Sequence, residues 1–190
     1  MITRLSKVDK LCPHFHLSVQ SLDNNVLKRM NRKYTSQFVL DRVNMIRKYI
    51  KDALFTCDVI VGFPGETEEE FNNTFNMVKK INFFDMHVFK YSKRKWTKAA
   101  TMENQIDGNI SQKRREIIIE YAKENKEKLL NMYLGKIKEV LFEEYDKGYL
   151  YGYTDNYIKV KVKGDRKLWG YQQKIELCSI EGDLILGKLL

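Results

Sequence analysis

In the segment His14-Phe-His-Leu-Ser-Val-Gln-Ser21, Phe15, Leu17 and Val19 alternate with His14, His16, Ser18 and Gln20. A period of two predicts a strand with one apolar and one polar face. The apolar face is expected to pack on helices and the polar one to look into an interior or a cleft. Further on, Thr35 is placed to cap a helix whose Val39, Val43, Ile46 and Ile50 form one stripe. Leu54 to Val61 is a mostly apolar, β-branched run that ends at Gly62-Phe-Pro-Gly65. It predicts a buried parallel strand entering a tight turn. Thr67 and Glu70 have the spacing of a capping box, and Phe71, Phe75 and Val78 mark the inner face of the helix that follows. Met86 to Tyr91 reads as a third strand. Ser111 to Tyr133, with Ile118, Ala122, Leu129 and Tyr133 inward, reads as a long charged helix closed by Gly135.

Strands alternating with helices at this spacing predict parallel βαβ units, an α/β class. Three strands are few for a sheet covered on both faces, so the expected architecture is the second half of a parallel (β/α) barrel. From Lys136 the pattern changes to short alternating runs, at 140–142, 149–153, 157–162, 174–177 and 184–186, punctuated by glycines. That predicts a small all-β barrel of about five strands, OB-like in character. The expected division is residues 1–133, carrying three βα units, and residues 134–190.

Composition adds bounds. Hydrophobic residues are 43%, charged 31% and aromatic 12%, enough for a packed core and too apolar for a disordered chain. No stretch approaches the roughly 18 consecutive apolar residues of a membrane span, and the start lacks a signal-peptide h-region. A cytoplasmic location without membrane attachment is the expectation. The net charge of +9 becomes informative through its distribution. Eight basic residues lie between Lys28 and Lys51 against the single acid Asp41, and five lie from Lys90 to Lys98 with none. Solvated faces are the plain reading and a polyanionic partner the sharper one. Cys12, Cys57 and Cys178 are scattered, which excludes a zinc knuckle or a CxxC pair and predicts reduced thiols.

Asp58-Val-Ile-Val-Gly-Phe-Pro-Gly-Glu-Thr67 is the most specific motif, and with it the chain resembles the radical-SAM tRNA methylthiotransferases. The strand at 14–21, the connector Leu27-Lys-Arg-Met-Asn-Arg-Lys-Tyr-Thr35 and the segment His87-Val-Phe-Lys-Tyr-Ser-Lys-Arg-Lys-Trp-Thr-Lys-Ala-Ala100 are similar to further family segments. The last of these resembles the branch that modifies N6-threonylcarbamoyladenosine, and the tail from Leu134 resembles a TRAM domain, a small RNA-binding barrel. The resemblance covers nearly the whole chain but only the second part of the family's length.

The resemblance implies transfer of a methylthio group to C2 of that adenosine beside the tRNA anticodon, with S-adenosylmethionine and two 4Fe-4S clusters. The CxxxCxxC loop for one cluster and the cysteines for the other are not among Cys12, Cys57 and Cys178, so the resemblance assigns no cluster ligand here. It implies that Ile60, Val61, Gly62, Phe63 and Pro64 line the adenine side of S-adenosylmethionine. Ser18 and Gln20 would reach its ribose or amino-acid groups, and Tyr91 and Ser92 would end the last strand at the same rim. The two glycines equally suit a turn with no ligand. Arg29, Arg32 and Lys33, with Lys93, Arg94 and Lys95, follow strand ends and would hold tRNA phosphates. Lys159 and Lys161, among Tyr149, Tyr151, Tyr153 and Tyr157, would do so on the small barrel, although alternating tyrosines more often pack than stack bases. His14, His16 and His87 are expected to have structural hydrogen-bonding roles.

Leu22 stands where the family has Gly, Lys90 where it has Pro, and Trp96 where it has Gly before Thr97. Three readings follow: an enzyme portion working beside a separate polypeptide with the cluster domains, an RNA-binding module without catalysis, or a truncated gene product. Half a barrel would leave an open, apolar strand edge and an uncovered interior, and so aggregation or dependence on a partner.

Overall fold

A computed structural model describes residues 2–190. After a short helix α1 (Ile2–Leu5), strands β1 (His14–Gln20), β2 (Leu54–Val61) and β3 (Asp85–Lys90) form a parallel sheet in that order. Between them run α2 (Asn24–Arg29), α3 (Ser36–Tyr49) and α4 (Glu68–Ile81), and α5 (Gly108–Asn131) follows β3. Thr35 caps α3, and Thr67 with Glu70 closes a capping box on α4, as their spacing predicts. The short α2 was not evident in the sequence. It is capped by Asp23, whose carboxylate accepts from the Asn25 and Val26 N–H groups.

One face of the sheet is covered. Phe55, Cys57, Val59 and Val61 of β2 are fully buried with Val39 and Val43 of α3, Phe71 and Val78 of α4, and Ile118 and Ala122 of α5. Burial holds the Cys57 thiol well above its usual range, the state of an inert core residue. The other face carries His14, His16, Thr56, Asp58, Asp85 and His87 and is open over much of its area. β2 is therefore not a strand buried on both sides. The uncovered face is mostly polar, with Ile60 and the half-exposed Phe89 towards its carboxyl end, which lessens the expected drive to aggregate; among the described residues the backbone edges of β1 and β3 stay unpaired.

Strands β4 (Ile137–Asp146), β5 (Tyr149–Thr154), β6 (Lys159–Lys163), β7 (Gln172–Glu181) and β8 (Leu184–Leu189) close a barrel in the order β4-β5-β6-β8-β7. Its interior, with Val140, Phe142, Leu150, Val160, Ile175 and Ile185, is continuous with Leu54 and Phe84 of the sheet unit and with Leu130 and Tyr133 beyond them. α5 begins at Gly108 rather than Ser111 and ends at Asn131 rather than Tyr133; Gly135 sits in the turn that follows, at φ 77°, and donates to the Leu177 carbonyl. Polar contacts weld the same junction. The fully buried Asn156 donates to the Tyr133 hydroxyl (3.0 Å) and to the Asp52 carbonyl (3.4 Å). Lys138 lies 3.4 Å from Asp52 and 3.0 Å from Asp155.

His14 stacks on Tyr157 at 4.5 Å, and Tyr157 stacks on Tyr153 at 4.6 Å, a three-ring pile across the junction. Burial, helped by the neighbouring His16, pushes the His14 imidazole below its ordinary 6.5. A depressed histidine binds its proton less readily folded than unfolded, so stability rises with pH through the window between the two values. The chain is therefore expected to lose stability as pH falls below 6.5. His14→Phe should keep the stack and flatten that dependence. Urea midpoints at pH 7.5, 6.5 and 5.5 would decide; an unchanged slope in the variant rules His14 out.

Candidate functional site

At the carboxyl end of the sheet the chain turns at Gly62 and Gly65, with φ of 72° and 75°, a region that glycine enters without steric cost. Gly62 has a second constraint: a Cβ there would lie 2.0 Å from the Ser111 Oγ of α5. Glu66, almost fully buried, accepts from the Gly62 N–H at 2.7 Å and receives Arg114 Nη1 at 2.8 Å. Burial raises the Glu66 carboxyl, while the Gly62 N–H and Arg114 oppose that rise. The turn is thus held from below by a buried ion pair reaching across 48 positions of sequence. The Gly65 N–H donates to the Asn104 carbonyl at 2.8 Å, tying the turn to the loop before α5.

Above the turn lies an open cleft of about 780 Å³. Of the residues expected at a ligand, Gln20, Ile60, Phe63, Tyr91 and Ser92 line it together. Gln20 ends β1 in the left-handed region at φ 61°. Phe63 meets Tyr91 edge-on at 5.3 Å, and the buried Tyr91 hydroxyl has no hydrogen-bond partner. Val61 instead points into the helix-covered core, and Pro64 is buried within the turn. Ser18 does not line the cleft; its hydroxyl donates to Asp58 Oδ2 at 3.1 Å.

The basic residues divide. Arg29, Arg32 and Arg94 line the cleft with Lys90 and Lys98, while Lys33, Lys93 and Lys95 stand exposed in the same loops. Arg29, expected to face phosphate, is instead engaged by Glu70, with Nη1 to Oε1 at 2.9 Å and Nη2 to Oε2 at 2.5 Å. Hydrogen bonding from Arg29 holds the Glu70 carboxyl below its usual range despite partial burial. On β5 and β6, Tyr149, Tyr151 and Tyr153 pair in register with Lys163, Lys161 and Lys159. The intervening Leu150, Gly152, Val160 and Val162 are buried, so the Tyr–Lys ladder lies on the outer surface. Lys161 lies 2.6 Å from Glu181 and over the Tyr149 ring. Tyr153 and Tyr157 are turned to the junction with His14.

The departures from the family pattern sort themselves. Leu22 is buried and its N–H donates to Thr74 Oγ1 at 3.3 Å, so the leucine is accommodated. Lys90 continues the β3 pairing opposite Val61. Trp96 is fully exposed at φ 69°, a region costly for a residue with a Cβ. Trp96→Gly is therefore expected to stabilise the chain by roughly 0.5–1 kcal/mol, the relief of that strain less glycine's extra unfolded freedom. A urea midpoint at or below the parent's would contradict it.

Two groups implied by the resemblance were set against these residues. An S-adenosylmethionine-sized ligand fits the cleft by its volume, its lining of Gln20, Ile60, Phe63, Tyr91 and Ser92, and the Tyr91 hydroxyl that lacks a partner; Gly62 and Gly65 do not line it, and their open sides meet Ser111 and Arg29. Iron–sulfur clusters do not fit. Cys57 is buried on the helix side, Cys12 and Cys178 are exposed in separate units, and among the described residues the three cysteines form no metal-holding group. No helix among the described residues is long and apolar enough to cross a membrane.

Residues 1–78 match the family model described as Radical SAM superfamily. Threonylcarbamoyladenosine tRNA methylthiotransferase MtaB of Bacillus subtilis (strain 168) is 44% identical over 93% of this chain and 40% of its own length. tRNA-2-methylthio-N(6)-dimethylallyladenosine synthase of Lachnoclostridium phytofermentans is 38% identical over 95% and 40%. The MtaB of Thermotoga maritima is 36% identical over 95% and 43%. The chain thus spans about two fifths of the length of these curated relatives. With the motif at 58–67, the parallel sheet and the barrel in place, the chain belongs to the radical-SAM tRNA methylthiotransferase family.

Proposed function

We propose that this chain is a portion of the enzyme that adds a methylthio group to C2 of N6-threonylcarbamoyladenosine next to the tRNA anticodon. What carries the reading is the cleft, where Gln20, Ile60, Phe63 and an unpartnered tyrosine hydroxyl share one bowl with Arg32 and Arg94. Identity of 44% to the Bacillus subtilis MtaB supports the choice of adenosine. In this reading Gln20, Ile60, Phe63, Tyr91 and Ser92 face S-adenosylmethionine. Gly62 lets the turn pack closely on Ser111, and Val61 and Pro64 stiffen the turn from behind. Ser18 acts one step removed, by fixing Asp58.

When bound, S-adenosylmethionine would supply the methyl group and the radical chemistry. The clusters that this chemistry requires would be held by thiolates outside the chain, on a longer polypeptide or on a separate partner. The chain's own part is to bind and orient: Phe63 and Tyr91 shield the bowl, and Tyr91 donates to the ligand. Arg32, Lys33, Lys93, Arg94 and Lys95 hold phosphates around its mouth. Residues 134–190 act as a TRAM-like RNA-binding domain, in which Tyr149, Tyr151 and Lys163 offer rings and charge to single-stranded nucleotides. Lys159 sits nearer the junction, and Lys161 would have to leave Glu181 to join them.

The test is binding of a labelled anticodon stem-loop across a salt series. Affinity should fall with salt, and Arg32→Ala with Arg94→Ala should flatten the log–log slope by about 2. A salt-indifferent affinity, or an unchanged slope in the double variant, would remove the RNA reading of this rim.

A further inference from the structure

On the open face of the sheet, at the inner end of the cleft that Asp58 also lines, His16, Asp58 and His87 converge from three strands. His16 Nε2 lies 3.0 Å from Asp58 Oδ2, and His87 Nδ1 lies 3.2 Å from Asp58 Oδ1. One ligand atom from each residue falls within 4.8 Å of the others. Tetrahedral ligands held about 2.0–2.2 Å from an ion stand roughly 3.4 Å apart, so small side-chain adjustments would bring these atoms onto one ion. The side chains are reachable, at 39%, 23% and 64% exposure for His16, Asp58 and His87. Rigid register sets the geometry: Asp58 pairs with His87, and His16 pairs with Thr56 two residues earlier on the same face.

The surroundings already orient the ligands. Thr56 Oγ1 sits 2.9 Å from His16 Nδ1 and 3.0 Å from His14 Nε2. Two proton arrangements satisfy this chain. In one, His16 carries its proton on Nε2 and donates it to Asp58. In the other, His16 Nδ1 donates to the Thr56 hydroxyl, which donates to His14, and the Nε2 lone pair is free for a metal. The second has His14 Nε2 accepting from that hydroxyl. Ser18 donates to Asp58 Oδ2 at 3.1 Å, steadying the carboxylate. Outer partners of this kind fix imidazole tautomers in known metal sites.

We propose that His16 Nε2, Asp58 and His87 Nδ1 form a three-ligand site for a divalent first-row transition ion, with water completing its shell. Two imidazoles and one carboxylate suit zinc, cobalt or nickel and disfavour magnesium and calcium, which take oxygen ligands. The ion ties β1 to β3 through β2, closing across the face where the sheet has no covering layer. It takes the arrangement with the His16 proton on Nδ1 and leaves the proton of His87 on Nε2.

The probe is Zn²⁺, with Co²⁺ as its optical reporter, added to the full chain carrying Cys12→Ser and Cys178→Ser to remove both exposed thiols. The expected result is one Zn²⁺ per chain, with a Kd of about 10 µM or tighter, a raised Tm and no competition from Mg²⁺. Visible absorption of bound Co²⁺ should report the nitrogen ligands. His87→Ala and Asp58→Asn should each weaken binding at least tenfold, and Thr56→Val, which touches no ion, by about tenfold. Unsaturable binding, or affinity unchanged in His87→Ala, overturns the site. Should Asp58→Asn fail to fold, the well-exposed His87 carries the decision with His87→Gln as its control.

Discussion

Arg114→Ala is expected to cost about 3–5 kcal/mol, because it strands a buried carboxylate. Only 6% of the Arg114 side chain and 1% of the Glu66 side chain are exposed. Arg114 also donates to the Glu66 carbonyl at 3.0 Å, reaches Glu68 at 3.2 Å and lies over the Phe71 ring, so it joins turn, helix start and core. Without it, Glu66 keeps the Gly62 N–H and loses its countercharge. Burial already raises the Glu66 carboxyl and would then act with less opposition. A carboxyl raised on folding stabilises the protonated state, and that contribution is lost as pH rises through its folded value. The deficit should accordingly be larger at pH 8 than at pH 5. Glu66→Gln, which keeps an acceptor for Gly62, should cost less, about 1.5–3 kcal/mol. Urea unfolding of the parent and both variants at the two pH values checks the ordering. An Arg114→Ala loss below that of Glu66→Gln would mean that water reaches the pair.

Local signals and pair contacts divide what the sequence could reveal. The alternation at His14–Gln20, the Thr35 cap and the Thr67–Glu70 box are written within a few residues, so their elements were legible. The turn at Gly62–Gly65 was too, because glycine and proline constrain backbone directly. Glu66 and Arg114 were missed as a pair: each reads as an ordinary charged helix-end residue, and their meeting depends on how α5 crosses the sheet. The partner of Arg29 was missed for a similar reason. In sequence it belongs to a basic run, and only the packing of α2 on α4 brings it to Glu70. The histidines were read singly, whereas their common face follows from the register of three strands. In the barrel, strand count was legible from glycine spacing. The parallel β6–β8 pairing was not, because adjacent β-runs suggest hairpins and this closure skips β7.

Gly152→Ala tests that closure at its tightest point, and its cost is expected to exceed the roughly 1–3 kcal/mol of ordinary overpacking. A Cβ at 152 would stand 2.0 Å from the Leu141 carbonyl oxygen, 2.7 Å from its carbon and 2.8 Å from the Phe142 Cα. All three are backbone atoms of β4, so no side-chain rotation relieves the clash. Gly152 lies outside the left-handed region, which makes crowding, not conformational strain, the reason for glycine. It pairs with Phe142 beside the register shift between Phe142 and Glu144, where β4 bends across β5. Displacing β4 there would disturb Phe142, a fully buried side chain of the core shared with Leu54 and Phe84, and so loosen the junction as well as the barrel. Gly108→Ala, with nothing within 4 Å, is the matched control and should leave stability within about 0.5 kcal/mol. Urea midpoints with hydrogen exchange at Phe142 and Leu150 read the effect. If Gly152→Ala unfolded at the parent's midpoint, β4 would have to shift outward at the bulge without cost, and the tight β4–β5 approach would not be what closes the barrel.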